Sequence, residues 1–200
     1  LVQNTPQDWA DLQKPEYAGQ VALAGDPRTA NQAILGVLAA GMSTGAAAGD
    51  AAGKAGLDFF ASLNKAGNFV PVIGKAGTAA QGATPIIVAW DYNALSWRDT
   101  MAGNPPAEVV VPKTGVLAGV YVQAISAFAP HPNAAKLWME YLYSDEGQNL
   151  WLSGYCHPAR FNAMSAAGKL NSDAMAKLPP AAAYEAAYFP TLDEQAANKA

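Results

Sequence analysis

The chain reads as an α/β fold built mainly on parallel strands. Three observations predict it. Val21–Ala24 and Pro85–Trp90 are short apolar runs without polar alternation, the pattern of strands covered on both faces. Apolar residues recur at helical spacing between these runs and after them. Strand-like and helix-like pieces alternate along the chain, which favours crossover connections over hairpins.

Taken in order, Thr5-Pro6-Gln7-Asp8 has the chemistry of a helix start, with Trp9 and Leu12 as its apolar side. Lys14 to Gly19 ends it in a turn, and Val21–Ala24 follows as a buried strand. After the loop Gly25-Asp26-Pro27-Arg28, Thr29 is expected to cap a helix over 30–40 with Ala33, Ile34, Val37 and Leu38 inward. Gly41 to Gly56 is low in complexity and rich in Gly and Ala, and reads as a surface connection with short helical pieces. Helix resumes over 57–65 on Phe59, Phe60 and Leu63. A strand over 69–73 is broken by Pro71, and a short helix spans 75–81. Beyond the strand ending at Trp90, Asp91-Tyr92-Asn93 opens a helix through Trp97, and Ala107–Val111 is a further strand.

The stretch from Val116 to Trp151 predicts a strand over 121–127, a turn at Ala129-Pro130-His131-Pro132, and a helix capped by Asn133. Ala134, Leu137, Trp138, Tyr141 and Leu142 form one apolar face, expected to lie on a core. Asp145 begins a second helix, Ser153 to Arg160 is irregular, and 162–170 is helical before an Ala-rich tail broken at Pro179-Pro180.

Composition excludes several classes. Hydrophobic residues make up 51% of the 200 and charged ones 14%, enough for a core and too few charges for disorder. The net charge of −4 offers no basic stripe for nucleic acid. No run reaches the roughly 18 apolar residues of a membrane span. Leu1 begins the chain without a Met or a basic leader, so the chain reads as processed or cut from a longer one. The one cysteine, Cys156, permits no disulfide within the chain.

Gly49-Asp50-Ala51-Ala52-Gly53-Lys54 imitates a phosphate-binding loop, but it is one spacer short and Ala55 stands where Ser or Thr would hold magnesium. His131 and His157 lie far apart and lack metal-ligand spacing. Cys156-His157 raises a thiol nucleophile, but chain neighbours point apart and no orienting third group is evident. Three loop positions next to strand ends stand out, where open α/β sheets bind ligands. At Asp26-Pro27-Arg28-Thr29, Arg28 and Thr29 suit an anion, or else Arg28 pairs with Asp26 and Thr29 merely caps. At Trp90-Asp91-Tyr92, two aromatics flank a carboxylate, which suits an ammonium, or else a core Trp precedes a capping Asp. Tyr121 and Gln123 share one face of their strand and point into a cleft, or Tyr121 packs.

The segments Trp9-Ala10-Asp11-Leu12, Pro15-Glu16-Tyr17, Gly25-Asp26-Pro27-Arg28, Trp90-Asp91-Tyr92, Ala129-Pro130-His131-Pro132-Asn133-Ala134-Ala135-Lys136-Leu137-Trp138 and Ser144-Asp145-Glu146-Gly147-Gln148 carry a resemblance. The chain resembles the type II extracellular solute-binding proteins of ABC importers, the group with polyamine, iron(III), thiamine and aminoethylphosphonate receptors. The resemblance implies a periplasmic-binding-protein type II-like fold of two α/β lobes with crossover strands. Residues 1–112 then correspond to lobe two and 113–200 to the return into lobe one plus C-terminal helices, with the N-terminal part of lobe one absent.

It also implies a non-enzymatic receptor, periplasmic or secreted, that closes by a hinge on a small solute and docks on a membrane permease. No cofactor or metal is expected. The iron-binding members use an adjacent tyrosine pair where this chain has Trp90-Asp91-Tyr92-Asn93, which disfavours iron. The polyamine receptors place a tryptophan where Trp90 stands, but an acid where Tyr121 stands. Arg28 with Thr29 keeps a phosphonate open. Arg28, Thr29, Trp90, Asp91, Tyr92, Tyr121 and Gln123 are the expected ligand residues, and self-association is expected through the apolar face left by the absent part. The competing classes are a hydrolytic enzyme with Cys156 as nucleophile and an interaction fragment with no ligand.

Overall fold

The structure, a computed structural model, describes residues 2–197. The chain divides into two compact units, Leu1–Gly119 with Pro180–Ala200, and Val120–Pro179. No helix of the described residues is long and apolar enough to cross a membrane.

The first unit is mixed helix and small parallel sheet. β1 (Val21–Leu23) pairs in parallel with β2 (Ile86–Val88), Val21 opposite Ile86 and Leu23 opposite Val88. The other edge of β1 is bonded by a ragged segment: Val70 donates to the Val21 carbonyl at 2.7 Å and Gly74 to that of Leu23 at 2.9 Å. Pro71 lacks a donor, so only a single bridge at Phe69 survives of the expected strand. All three residues of β1 are buried, as a strand bonded on both edges requires.

α1 (Asn31–Ser43) and α2 (Asp50–Ala66) form a helical hairpin packed against the same apolar cluster as β1. The surface connection expected over 41–56 is confined to 44–49, and the residues on either side belong to the two helices. Gly41 and Gly56 lie where the two backbones touch: a Cβ on Gly41 would overlap the Ala52 carbonyl, and one on Gly56 that of Val37. At Gly41 and Gly56 the small residue therefore means close approach of backbones, not a linker. The loop that imitates a nucleotide site contributes the first turns of α2. Phe59, Phe60 and Leu63 are buried with Trp9, Leu12 and Tyr17. Edge-to-face ring pairs run from Trp9 through Phe59 and Phe60 to Phe69, with centroids 5.6–6.1 Å apart. Buried Asn68 donates to the Leu12 and Lys14 carbonyls, both at 2.8 Å, and ties the N-terminal turns to this core.

Two expected caps fail. The first helical turn is a 3₁₀ segment, Trp9–Gln13, capped by Asp8 in a capping box with Asp11, while Thr5 donates instead to Glu108. Ala30, not Thr29, precedes α1, and no side chain caps it. α3 (Ala76–Ala80) and α4 (Asp91–Met101) follow. The strand expected at 107–111 is not assigned to any ladder. The tail returns to this unit through a parallel bridge between Leu117 and Tyr188 and carries the helix Leu192–Ala197.

The second unit contains α5 (Pro132–Tyr143), α6 (Asp145–Ser153), α7 (Phe161–Ala166) and α8 (Ser172–Met175). Ser144 accepts from Gly147 N–H at 3.0 Å and so stops one helix and starts the next. Buried Gln148 donates to the Leu142 carbonyl at 2.7 Å and accepts from the Arg160 amide at 2.8 Å. The strand expected over 121–127 is unladdered and largely exposed, because ladder pairing, not β-propensity, makes a strand. His131 rather than Asn133 precedes α5, with Pro132 as its first residue. Of the expected apolar face only Leu142 is buried. Leu137 is 71% and Trp138 57% exposed, Ala134 is exposed and Tyr141 half-buried, so the periodicity reports an amphipathic helix whose apolar side lacks cover. α7 stops at Ala166, short of the expected 170.

The helix crossing gives a paired expectation. Gly56→Ala should destabilise the chain by about 3 kcal/mol, since the methyl group must displace backbone. Gly77→Ala in α3, with open space around it, should stabilise by about 0.5 kcal/mol. Denaturant midpoints of the two variants check both signs.

Candidate functional site

β1 and β2 are parallel, so their carboxyl ends open on the same edge, and the loops leaving them are 24–30 and 89–90. The Ala24 amide donates to the Val88 carbonyl at 3.0 Å and holds the two exits together. Gln32, in the first turn of α1, spans them. Its Nε2 donates to the Ala24 carbonyl, and its Oε1 accepts from Asn93 Nδ2 at 3.1 Å and, at 3.4 Å, from the Trp90 amide.

Trp90 immediately precedes α4 and packs on the buried cluster of Leu35, Leu38 and Ala52. Gly119 lies against its indole, where a Cβ would come within 2.6 Å of the ring. Asp91 is the first residue of α4. Its Oδ1 accepts from the Tyr92 amide at 2.8 Å and its Oδ2 from the Tyr184 hydroxyl at 2.9 Å. Trp90, Asp91 and Tyr92 are all half-buried. Burial, with the Asp91 charge beside it, pushes the Tyr184 phenol well above its ordinary value, so it stays a proton donor.

At the other exit Arg28 is exposed and engaged. Its Nε donates to Asp26 Oδ1 at 3.0 Å and its Nη2 to Oδ2 at 2.6 Å, and its amide also donates to Oδ1. The Arg28 guanidinium holds the Asp26 carboxyl down at about 2. The alternative in which Arg28 pairs with Asp26 is the one present. The exposed Thr29 donates its amide to the Asp26 carbonyl.

In the second unit Tyr121 is 67% exposed. Gln123 lines a depression of about 310 Å³ with Ile125, Trp138 and Met139. The Cys156 thiol donates to the Gly154 carbonyl of its own turn at 3.8 Å, while the His157 ring packs edge-on to Phe161. No group of three or more metal-ligating side chains occurs among the described residues.

Sequence reasoning thus placed Trp90, Asp91 and Tyr92 at the end of β2 and missed Gln32, Asn93 and Tyr184. Gln32 lies 61 residues from Asn93 and Tyr184 lies 93 from Asp91, and no local pattern links residues so distant.

A family profile described as bacterial extracellular solute-binding protein matches residues 2–186. Comparison with curated proteins gives no match.

The Asp26–Arg28 pair gives a pH expectation. A carboxyl lowered by folding contributes stability above its unfolded value of 3.8 that is lost as pH falls through about 2. The window is therefore about pH 4 to 2. In an NMR titration the Asp26 carboxyl should have its midpoint at about 2, and Arg28→Gln should move it up toward the ordinary value. An unchanged midpoint in that variant would remove Arg28 as the cause.

Proposed function

The chain belongs to the bacterial extracellular solute-binding proteins, receptors that serve ABC importers outside the cytoplasm, and from that premise we propose that it captures a small cationic amine at Asp91. The observation that carries this reading is the Asp91 carboxylate, held from two sides at the carboxyl end of β2 between Trp90 and Tyr92. A fixed carboxylate beside aromatic faces suits an ammonium by charge and by cation–π attraction. Polyamines fit that description, and binding rather than bond-making is the ordinary work of this family.

In the proposed mechanism two type II lobes close on a hinge, and solute contacts favour the closed form that the permease reads. Tyr121 and Gln123, in the return segment, contribute contacts from lobe one. In this reading residues 1–112 are the body of lobe two and 113–200 the return, whose segment from Pro180 folds with the first unit. The second reading is an anion such as a phosphonate at Arg28 and Thr29. It is favoured by the guanidinium at a strand exit, but Asp26 must first release it.

Self-association is proposed through α5. Leu137 and Trp138 are exposed on its apolar side. Two copies would bury these faces against each other across a two-fold axis.

Two measurements check these readings. In calorimetry against diamine and aminophosphonate panels, wild type should bind a diamine, Asp91→Asn should weaken it about 100-fold, and Arg28→Gln should leave it unchanged. Phosphonate binding that is lost in Arg28→Gln, with no amine binding, would reverse the assignment. In sedimentation velocity the wild-type mass should rise with concentration, and Trp138→Glu should hold the chain as a monomer. A wild type that is monomeric throughout sinks the self-association.

A further inference from the structure

We infer that Tyr184, in the C-terminal tail, is a positioning residue that fixes the Asp91 carboxylate for its ligand, an inference that rests on the amine reading above. Asp91 needs no distant partner in order to start α4. Its Oδ1 already accepts from the next amide, and the backbone carries the rest of the helix. Yet Oδ2 receives a 2.9 Å hydrogen bond from a residue 93 positions away. With one oxygen held from within the helix and the other from the tail, the carboxylate plane cannot turn about its last torsion. Each oxygen keeps a second acceptor direction for an incoming N–H.

The placement of Tyr184 is itself built. It ends a 3₁₀ turn, Ala181–Tyr184, that follows two prolines. Four residues on, the Tyr188 amide donates to the Val116 carbonyl at 2.9 Å, and Ala118 donates to the Tyr188 carbonyl at 2.8 Å. The Tyr188 hydroxyl in turn donates to Glu194 at 2.7 Å. The tail is therefore laddered to the first unit, and the phenol is half-buried rather than trailing on the surface. The tyrosine acts on the ligand through Asp91 and lowers the entropic cost of binding by holding one rotamer beforehand.

A mutant cycle on the full chain, read by calorimetry with 1,4-diaminobutane, tests this. Tyr184→Phe keeps the ring and removes only the donor. It should weaken binding about tenfold, the usual effect of losing a hydrogen bond to a charged group. In the Asp91→Asn background, already weakened, the same change should do nothing further. A purely structural tyrosine would produce the same loss in both backgrounds, and that result overturns the inference. Equal affinity of Tyr184→Phe and wild type, with Asp91→Asn still weakened, overturns it as well and leaves the amine reading standing. A wild type that ignores the diamine, or an Asp91→Asn variant that binds it normally, removes the amine reading and this inference with it.

Discussion

The backbone contact of α1 with α2 at Gly41 and Gly56 is the constraint on which the first unit depends. Two helices meet there with no side chain between them, so their axes approach more closely than Leu or Val at the crossing would allow. That approach brings Leu35 and Leu38 of one helix against Ala52 of the other, and this small cluster is the floor on which Trp90 lies. The same hairpin turns Phe59, Phe60 and Leu63 onto Trp9, Leu12 and Tyr17. A widened crossing would therefore disturb both the core and the Trp90 indole that precedes Asp91. The candidate site inherits its geometry from helix packing as much as from the sheet.

The two charged loops at the strand exits show how local chemistry sorts a site. Arg28 reaches a carboxylate two residues away in its own loop, and the bidentate pair leaves little net field for a solute. Asp91 is held by neutral donors, an amide and a phenol, which orient its charge without cancelling it. Both sites look alike in composition, one charged residue beside a strand end. They differ in whether the partner carries the opposite charge.

What the sequence made legible was whatever short-range patterning determines. β1 and β2 follow from unbroken apolar runs, the second half of α2 from the Phe59, Phe60 and Leu63 spacing, and the α5–α6 break from Ser144-Asp145. Trp90-Asp91-Tyr92 was legible for the same reason, because it ends a strand and starts a helix. Features fixed by partners were not legible. Gly41 to Gly56 looked like linker because glycine at a helix crossing and glycine in a loop are the same letters. Residues 107–111 and 121–127 have strand-like side chains, but ladder formation depends on a neighbouring edge. Leu137 and Trp138 announced an apolar face without saying whether anything covers it. Thr5 and Thr29 were plausible caps displaced by a residue three positions on and by an uncapped start. Gln32 and Tyr184 reach their partners only through the fold.

The rung between Leu117 and Tyr188 has a consequence for the order in which the chain can fold. It closes a loop of about seventy residues that holds all of Val120–Pro179. A polypeptide emerging from its N-terminus presents β1, the helix hairpin and β2 early, and these can associate at once. The rung, and with it the Tyr184 hydroxyl, must wait until the inserted unit has been made. Collapse of that unit draws the two ends of the loop together and reduces the entropy that closure must overcome. Assembly of the first unit is thus completed last, by a tail that arrives after a separate body has formed. Until then the Tyr92 amide alone orients the Asp91 carboxylate.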